Sequence, residues 1–469
     1  MRSQRHCPTG LFTALHLVQP VDGGVARVVL DLVAAQVAEG FRAVVACPVE
    51  GPLAGAAAER GAEVHAWRAT RDPNLRLFHE IRDVARLVER VRPDVVHAHS
   101  AKAGFAGRLA VRGRVPTVFQ PHAWSFEAVG GTTERLVTRW ERLAVRWTDR
   151  VICVSEAERS TGERAGVHAP WTVIHNGVDV RRFAAPESAR GNAESADGAR
   201  TDVVNADADA DADAVRAGAP HAHVLGAGAV RTDPDAPDKP FSTGGPDGSD
   251  GSDDPGGSGS SHQAAGIAAA RASLPLLSAL APDTPVVVCV GRLCRQKGQD
   301  VLLNAWPRVV RQLPRARLVL VGDGPDARAL SAAAPPSVLF AGAVRDPAPW
   351  YRAADLVVLP SRWEGMALAP LEAMASGRPV VLSDVDGARE SLPAGHEPFC
   401  LAPPEDPTAL ATAIGTLLQD GDLRVALGRQ GHQHVLSTYD VRRTTRAVSD
   451  VYRQVTAVTR PDRREPTPR

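Results

Sequence analysis

Short apolar runs alternate along this chain with longer stretches of helical periodicity. Before residue 185 the strand-like runs fall at 11–18, 41–47, 63–67, 94–98, 116–120, 151–154 and 171–174. After residue 271 they return at 285–290, 317–321, 337–341, 356–360 and 379–383. Between them, stretches such as 27–39 and 76–91 place apolar residues on one face of a helix, and a final helical stretch spans 407–458. Strand and helix in alternation predict parallel sheets covered by helices on both faces. Two such blocks in one chain predict two Rossmann-like units.

The pattern dissolves between about 185 and 270. Residues 206–214 alternate Asp and Ala, and 244–261 are mostly Gly, Ser, Asp and Pro. Such a segment buries too little apolar surface to offset chain entropy, so it is expected to be a disordered insert. Gly226-Ala227-Gly228 lies within it, but position 231 is Arg and no strand leads in, so it is not a dinucleotide fingerprint. The predicted domains are thus 1–184, an insert over 185–270, a second unit over 271–457 and a disordered tail over 458–469.

Charge changes the picture only when it is divided. The 469 residues carry 54 basic and 54 acidic side chains, yet residues 186–265 hold 15 acidic against 5 basic. The folded remainder is therefore basic by about ten charges, which favours anionic ligands or an anionic membrane surface. The six cysteines form no Cys-x-x-Cys pattern, and those at 47, 153 and 289 fall in predicted strands as small apolar residues, pointing to a reducing cytoplasm. The apolar run at 11–18 is short and interrupted by His16, so it is read as a first strand and not a signal peptide. No run approaches the roughly 18 apolar residues of a membrane span.

The stretch richest in chemistry is Trp363-Glu364-Gly365-Met366-Ala367-Leu368-Ala369-Pro370-Leu371-Glu372. It follows the predicted strand 356–360 and opens a short helix: Pro370 suits its first turn, Gly377 its C-terminal cap, and Pro379 ends it. Free amides at such a helix start attract an anion. Glu364 before the helix and Glu372 within it can accept hydrogen bonds from sugar hydroxyls on either side.

The Glu-x7-Glu spacing after Leu-Pro-Ser, followed by Glu-Ala-Met-Ala-x-Gly-x-Pro-Val-Val, resembles family 4 of the retaining GT-B glycosyltransferases. The resemblance covers roughly residues 10–184 and 270–457; the insert is foreign to it. It implies an α/β GT-B fold, two doubly wound Rossmann-like domains facing each other across a cleft, with a last helix at 439–457 crossing back onto the first domain. It implies transfer of a sugar from a nucleoside diphosphate sugar to a hydroxyl acceptor, with retention of configuration and no metal or other cofactor. The first domain would serve the acceptor and the second the donor.

Within that reading, Arg292 and Lys297 follow Gly291 at a strand's carboxyl end and would neutralise the leaving diphosphate. Gly23 and Gly24 open the first helix and would let backbone approach the donor phosphate. Glu364 with the amides of Gly365, Met366 and Ala367 would orient the donor sugar, and Glu372 would hold the ribose. His122 matches the family's histidine beside the donor sugar, although Ala123 stands where a glycine is usual. The catalytic set expected is therefore Arg292, Lys297, Glu364 and His122.

Other motifs stay outside it. His97-Ala98-His99 is too short to hold a metal without a third ligand. Asp384-Val385-Asp386 is read as a loop, with Asp386 departing from a frequent glycine and bearing on acceptor or domain contacts. His175-Asn176-Gly177 marks the hinge, and Glu156 is read as an acid at a helix N-terminus. An acceptor in envelope polysaccharide or glycolipid assembly, lipid-linked and met by peripheral association at the inner face of the plasma membrane, fits this reading; nucleic acid does not. The alternatives are an inactive nucleotide-sugar-binding protein, or another two-Rossmann enzyme such as a phosphorylase or nucleotide-sugar epimerase.

Overall fold

The computed structural model describes residues 11–70, 77–184 and 257–457, the side chains of the last segment from residue 264 onward. The first unit holds seven parallel strands: β1 (Thr13–Val18), β2 (Arg42–Cys47), β3 (Glu63–Ala66), β4 (Val95–His99), β5 (Thr117–Gln120), β6 (Arg150–Cys153) and β7 (Trp171–Val173). Their order across the sheet is β3-β2-β1-β4-β5-β6-β7. The second unit holds six: β8 (Val286–Val290), β9 (Arg317–Val321), β10 (Val338–Gly342), β11 (Leu356–Leu359), β12 (Val380–Ser383) and β13 (Leu401–Ala402), ordered β10-β9-β8-β11-β12-β13. Every strand pair is parallel.

Helices cover both faces, which is why the central strands are buried almost throughout; β1, β4, β5, β11 and β12 show no exposed residue. Each sheet reverses its winding direction once, between β1 and β4 and between β8 and β11. The crevice beyond the carboxyl ends of the strands at such a point is where ligands sit in doubly wound sheets. Two crevices face each other here, and the sequence motifs lie on the loops that line them.

Three expectations need correction. The strand β13 was not foreseen: two residues carry no readable period. The stretch 407–458 is three helices, Pro407–Gln419, Gly421–Thr438 and Val441–Ala457. It breaks where Asp420 turns from helix to cap, its carboxylate accepting from the amide of Leu423 at 2.9 Å, and again at Tyr439-Asp440. The insert also ends earlier than 270. Residues 185–256 lie outside the described residues, but Gly257–Ala272 is a helix. Its alanine-rich second half favours helix, and Arg271 anchors it. That buried guanidinium donates to the carbonyls of Ala353, Pro282 and Thr284 and pairs with Asp355 at 2.6 Å.

The last helix, Val441–Ala457, packs on Gly23–Ala38 of the first unit. Val178 and Tyr439–Val441 exchange backbone hydrogen bonds at 2.8 and 3.1 Å, so the hinge strand and the crossing helix are tied at the point of crossing.

Candidate active site between the two sheets

The donor-side half is a set of charged groups on rigid strand ends. Lys297 donates to Glu364 at 2.5 Å, and the hydroxyl of Ser361 donates to the same carboxylate oxygen at 2.7 Å. Glu364 and Ser361 are buried, 7 % and 1 % exposed. The side chain of Arg292 makes no ion pair among the described residues, while Gln299 holds its carbonyl at 3.0 Å. The cation loop and the Glu364 loop are stitched together. Arg362 forks onto Asp300 at 2.9 and 2.7 Å, takes Glu405 at 2.7 Å and donates to the Arg295 carbonyl at 2.8 Å. Gln296 donates to the Trp363 carbonyl at 3.0 Å. Gly298, at φ +66°, passes so near Pro360 that an added Cβ would lie 2.0 Å from its carbonyl oxygen. That glycine is what allows the two loops to touch.

Glu372 is buried in the helix Leu368–Ala375 and accepts from the Tyr351 hydroxyl at 2.8 Å through one oxygen. Burial pushes its pKa up to about 7, opposed by that hydrogen bond. Just ahead of the helix, the carbonyls of Gly365 and Met366 are clamped by Ser155 at 2.8 Å and Asn176 at 2.7 Å. The amides of Gly365, Met366 and Ala367 take no hydrogen bond among the described residues. They are the open donors that a helix start offers an anion.

The first unit meets this face directly. A Cβ on Gly365 would lie 2.9 Å from a Glu158 oxygen and 3.0 Å from the amide of Ala123, so no side chain fits there. Gly24, next to Gly23 at φ +72°, lies against Leu368 at the start of the donor-side helix. The structure thus gathers Gly24, His122's loop, Gly365 and Glu364 around one crevice. Glu390 adds a second tie: its carboxylate takes the amides of Glu156 and Ala157 at 2.8 and 2.9 Å and the His175 ring at 2.9 Å. Asp386 accepts from Thr161 at 2.7 Å, a domain contact, and Asp384 pairs with Arg389 at 2.5 Å. Their two carboxylates serve separate partners. The side chain of Glu156 is exposed and pairs with Arg159 at 2.7 Å at the start of its helix.

On the first unit the chemistry is neutral and the backbone is strained. His122 sits at φ +60° and Ala123 at φ +123°, a region that favours glycine. The loop is held there by Glu158, whose buried carboxyl accepts from the amides of Ala123 at 2.6 Å and Val154 at 2.7 Å. Burial pushes the Glu158 pKa up to about 8, against those two amides. Below the loop, His16, His97 and His99 are fully buried on one face of the sheet, since His16 pairs with His97 in register and His99 lies two residues further on.

His16 is the third ring whose absence weighed against a metal at His97 and His99; the three offer nitrogens within 4.8 Å of one another. Hydrogen bonds already occupy most of these nitrogens. His16 contacts Gln36 at 2.8 Å and His99 at 3.0 Å, and His99 contacts His122 at 3.2 Å. His97 Nδ1 meets the Tyr452 hydroxyl of the crossing helix at 2.6 Å. Of the nitrogens of His16, His97 and His99, His97 Nε2 alone has no partner among the described residues. Desolvation lowers the pKa of all four, His16 to about 4 and His122 to about 3, so the rings are neutral at physiological pH.

Sequence reasoning missed His16, Gln36, Glu158, Ser361, Arg362 and Tyr351. Two of them carried a signal: His16 stands within the apolar run of β1, and Ser361 is the serine of the Leu-Pro-Ser motif, though neither was given a role.

Residues 22–182 match the family described as Glycosyltransferase Family 4, and residues 284–420 that described as Glycosyl transferases group 1; together they take in well over half of the chain. A lipopolysaccharide core biosynthesis mannosyltransferase, LpcC of Rhizobium leguminosarum bv. viciae, is 35 % identical over 181 residues, 36 % of this chain and 51 % of the relative. A GDP-mannose-dependent alpha-(1-6)-phosphatidylinositol monomannoside mannosyltransferase of Mycolicibacterium smegmatis is 34 % identical over 174 residues, 34 % of this chain and 45 % of the relative. The chain spans about half the length of the curated relatives it matches. Among solved structures, HepE of Anabaena in complex with UDP-glucose superposes with a TM-score of 0.67 at 20 % identity, covering 94 % of this chain and 99 % of that one. WaaG, a glycosyltransferase involved in lipopolysaccharide biosynthesis, superposes with a TM-score of 0.60 at 15 % identity, covering 94 % and 99 %. With both halves of the chain matched and two doubly wound sheets facing across one crevice, this protein belongs to glycosyltransferase family 4 and has the GT-B fold.

Proposed function

We propose that the protein transfers a hexosyl unit from a nucleoside diphosphate sugar to a hydroxyl acceptor with retention of anomeric configuration. The observation that carries this reading is the Lys297–Glu364 pair lying beside three unpaired amides at a helix start. A diphosphate entering there would meet Arg292, Lys297 and those amides. Its sugar would lie against Glu364 and His122, and its ribose against the unengaged oxygen of Glu372.

In the reaction the bond from C1 to the diphosphate oxygen breaks, and the acceptor oxygen bonds to C1 on the same face. The acceptor's proton passes to the departing phosphate oxygen. Arg292 and Lys297 stabilise the charge that builds on that phosphate. Glu158, whose carboxyl an added Cβ on Gly365 would meet at 2.9 Å, already has both oxygens engaged by amides, which favours the phosphate over that side chain as the proton's destination. No metal is required where cations and helix amides supply the positive field.

The relatives named above as mannosyltransferases make GDP-mannose the first donor to test. A lipid-linked acceptor, met at a membrane surface, is supported by the helix Gly131–Ala144, which follows the His122 loop. It exposes Leu136 and Leu143 beside Arg135, Arg139 and Arg142. No helix among the described residues is long and apolar enough to cross a membrane.

The test is a thermal-shift screen with GDP, UDP, ADP and dTDP, each with and without EDTA, followed by turnover of the matching sugar nucleotide. A bound nucleotide raises the midpoint by mass action. Stabilisation by one diphosphate irrespective of EDTA is expected. Stabilisation abolished by EDTA would overturn the metal-free reading, and no response to any diphosphate would overturn the transferase reading.

A further inference from the structure

The neutral histidines form a chain that ends at the crevice. Gln36 Oε1, His16, His99 and His122 follow one another at 2.8, 3.0 and 3.2 Å, through His16 Nε2, His16 Nδ1, His99 Nε2, His99 Nδ1 and His122 Nε2 in turn. A neutral imidazole carries one proton, so each ring donates through one nitrogen and accepts through the other. The direction of the whole chain is therefore set at its inner end. The Gln36 oxygen can only accept. His16 must then donate from Nε2 and accept at Nδ1. His99 must donate from Nε2 and accept at Nδ1, and His122 must donate from Nε2. The Nδ1 of His122 is left bare, with no partner among the described residues.

We infer that Gln36, His16 and His99 are positioning residues that hold His122 as the Nε2–H tautomer, so that its Nδ1 meets the substrate as a hydrogen-bond acceptor for a hydroxyl. The backbone agrees with a ring whose direction matters, for His122 and Ala123 are both kept at positive φ by Glu158. Burial keeps each ring at a single proton. The part played by a substrate hydroxyl rests on the transferase reading; the tautomer does not.

The test is two-dimensional NMR of the full-length protein with ring-15N-labelled histidine, the His122 signals being identified by their loss in His122→Asn. In the wild type, His122 is expected to show a protonated Nε2 and a bare Nδ1; the opposite pattern would overturn the inference outright. In Gln36→Met the inner acceptor is gone, and His122 should become a mixture of tautomers. In Gln36→Glu an acceptor is restored, and the wild-type pattern should return. An unchanged His122 in folded Gln36→Met would also overturn it. With a donor in hand, Gln36→Met should lower kcat about tenfold, one hydrogen bond's worth of transition-state energy, with little change in KM for the donor. Gln36→Glu should recover it, which a mere packing defect at position 36 would not do. If the wild type turns over no donor, the transferase reading fails while the tautomer pattern still decides the inference.

Discussion

The two walls of the crevice solve the same problem with opposite chemistry. The second unit presents ionisable groups, Arg292, Lys297 and Glu364 on strand-end loops whose tight turns are made by glycines at positions 298, 322 and 387, and Glu372 on the helix that follows. The first unit presents a neutral ring, His122, on a loop whose positive φ falls on His122 and Ala123 themselves. On the proposed function, one wall would meet a diphosphate whose charge grows as the bond breaks, so cations belong there. The other would face hydroxyls, for which a directional, uncharged acceptor is the better match. Charge on one side and orientation on the other is the division that mutagenesis should expose.

The largest effect is expected on the charged wall. Lys297→Ala should lower kcat by about 10²–10³-fold, the usual cost of one group that stabilises a departing charge. The fold should survive, because Ser361 still donates to Glu364. Steady-state kinetics with circular dichroism as the control would check it, and turnover near the wild-type rate would remove Lys297 from the mechanism.

Next comes Gly298→Ala. A Cβ there must displace the Pro360 carbonyl and must also sit at φ +66°. About 3 kcal/mol of stability should be lost, and the cation loop should part from the Glu364 loop. Urea denaturation measures the first and weakened diphosphate binding the second.

The titrating groups give the comparison a sign. His16 has its pKa lowered from 6.5 to about 4. Below pH 6.5 the unfolded chain takes up a proton that the folded one refuses, so stability is lost as pH falls from 6.5 through 4. Glu372 is raised from 4.5 to about 7. Here the folded chain keeps a proton that the unfolded one has released, so stability is lost as pH rises from 4.5 through 7. Each accounts for about 3 kcal/mol across its window at most. His16→Phe should make the acid limb of stability against pH shallower, and Glu372→Gln the neutral-to-alkaline limb, while the other buried histidines and Glu158 keep the remainder of each slope. Denaturant midpoints at pH 5, 6.5 and 8 would separate them.

The two walls also differ in how far the sequence discloses them. The charged wall is nearly linear: Arg292 and Lys297 lie in one loop, Glu364 through Glu372 in another, and the elements that carry them start and stop within a residue or two of the apolar runs. Local spacing is enough to see them. The neutral wall is assembled from β1, β4, β5 and two helices, with Gln36 and Tyr452 more than 400 residues apart in the chain. His97 and His99 were visible as a pair, but His16 becomes their neighbour only through the parallel register of β1 and β4. Glu158 was invisible for a related reason: an acid in the first turn of a helix reads as a dipole partner, and only the tertiary fold turns it toward the Ala123 amide. The C-terminal end of the insert was blurred because Gly and Ser sit on both sides of the helix start at Gly257.

The smallest predicted effect is the most direct probe of the contrast. Ala123 occupies φ +123°, where a Cβ costs about 1–3 kcal/mol, whereas glycine pays no such strain but is harder to order from the unfolded chain by roughly 0.5–1 kcal/mol. Ala123→Gly should therefore stabilise the protein by about 1 kcal/mol, read as a higher denaturant midpoint at an unchanged slope. The opposite substitution on the opposite wall, Gly298→Ala, destabilises by more, because there the strain adds to a collision with backbone. Stabilisation at position 123 without loss of turnover would mean that Glu158 and the histidine chain suffice to aim His122. Stabilisation with a fall in kcat would mean that the methyl group restrains the loop. A loss of stability would show that the Ala123 methyl packs well enough to outweigh its backbone strain, and the contrast between the walls would then lie in charge alone.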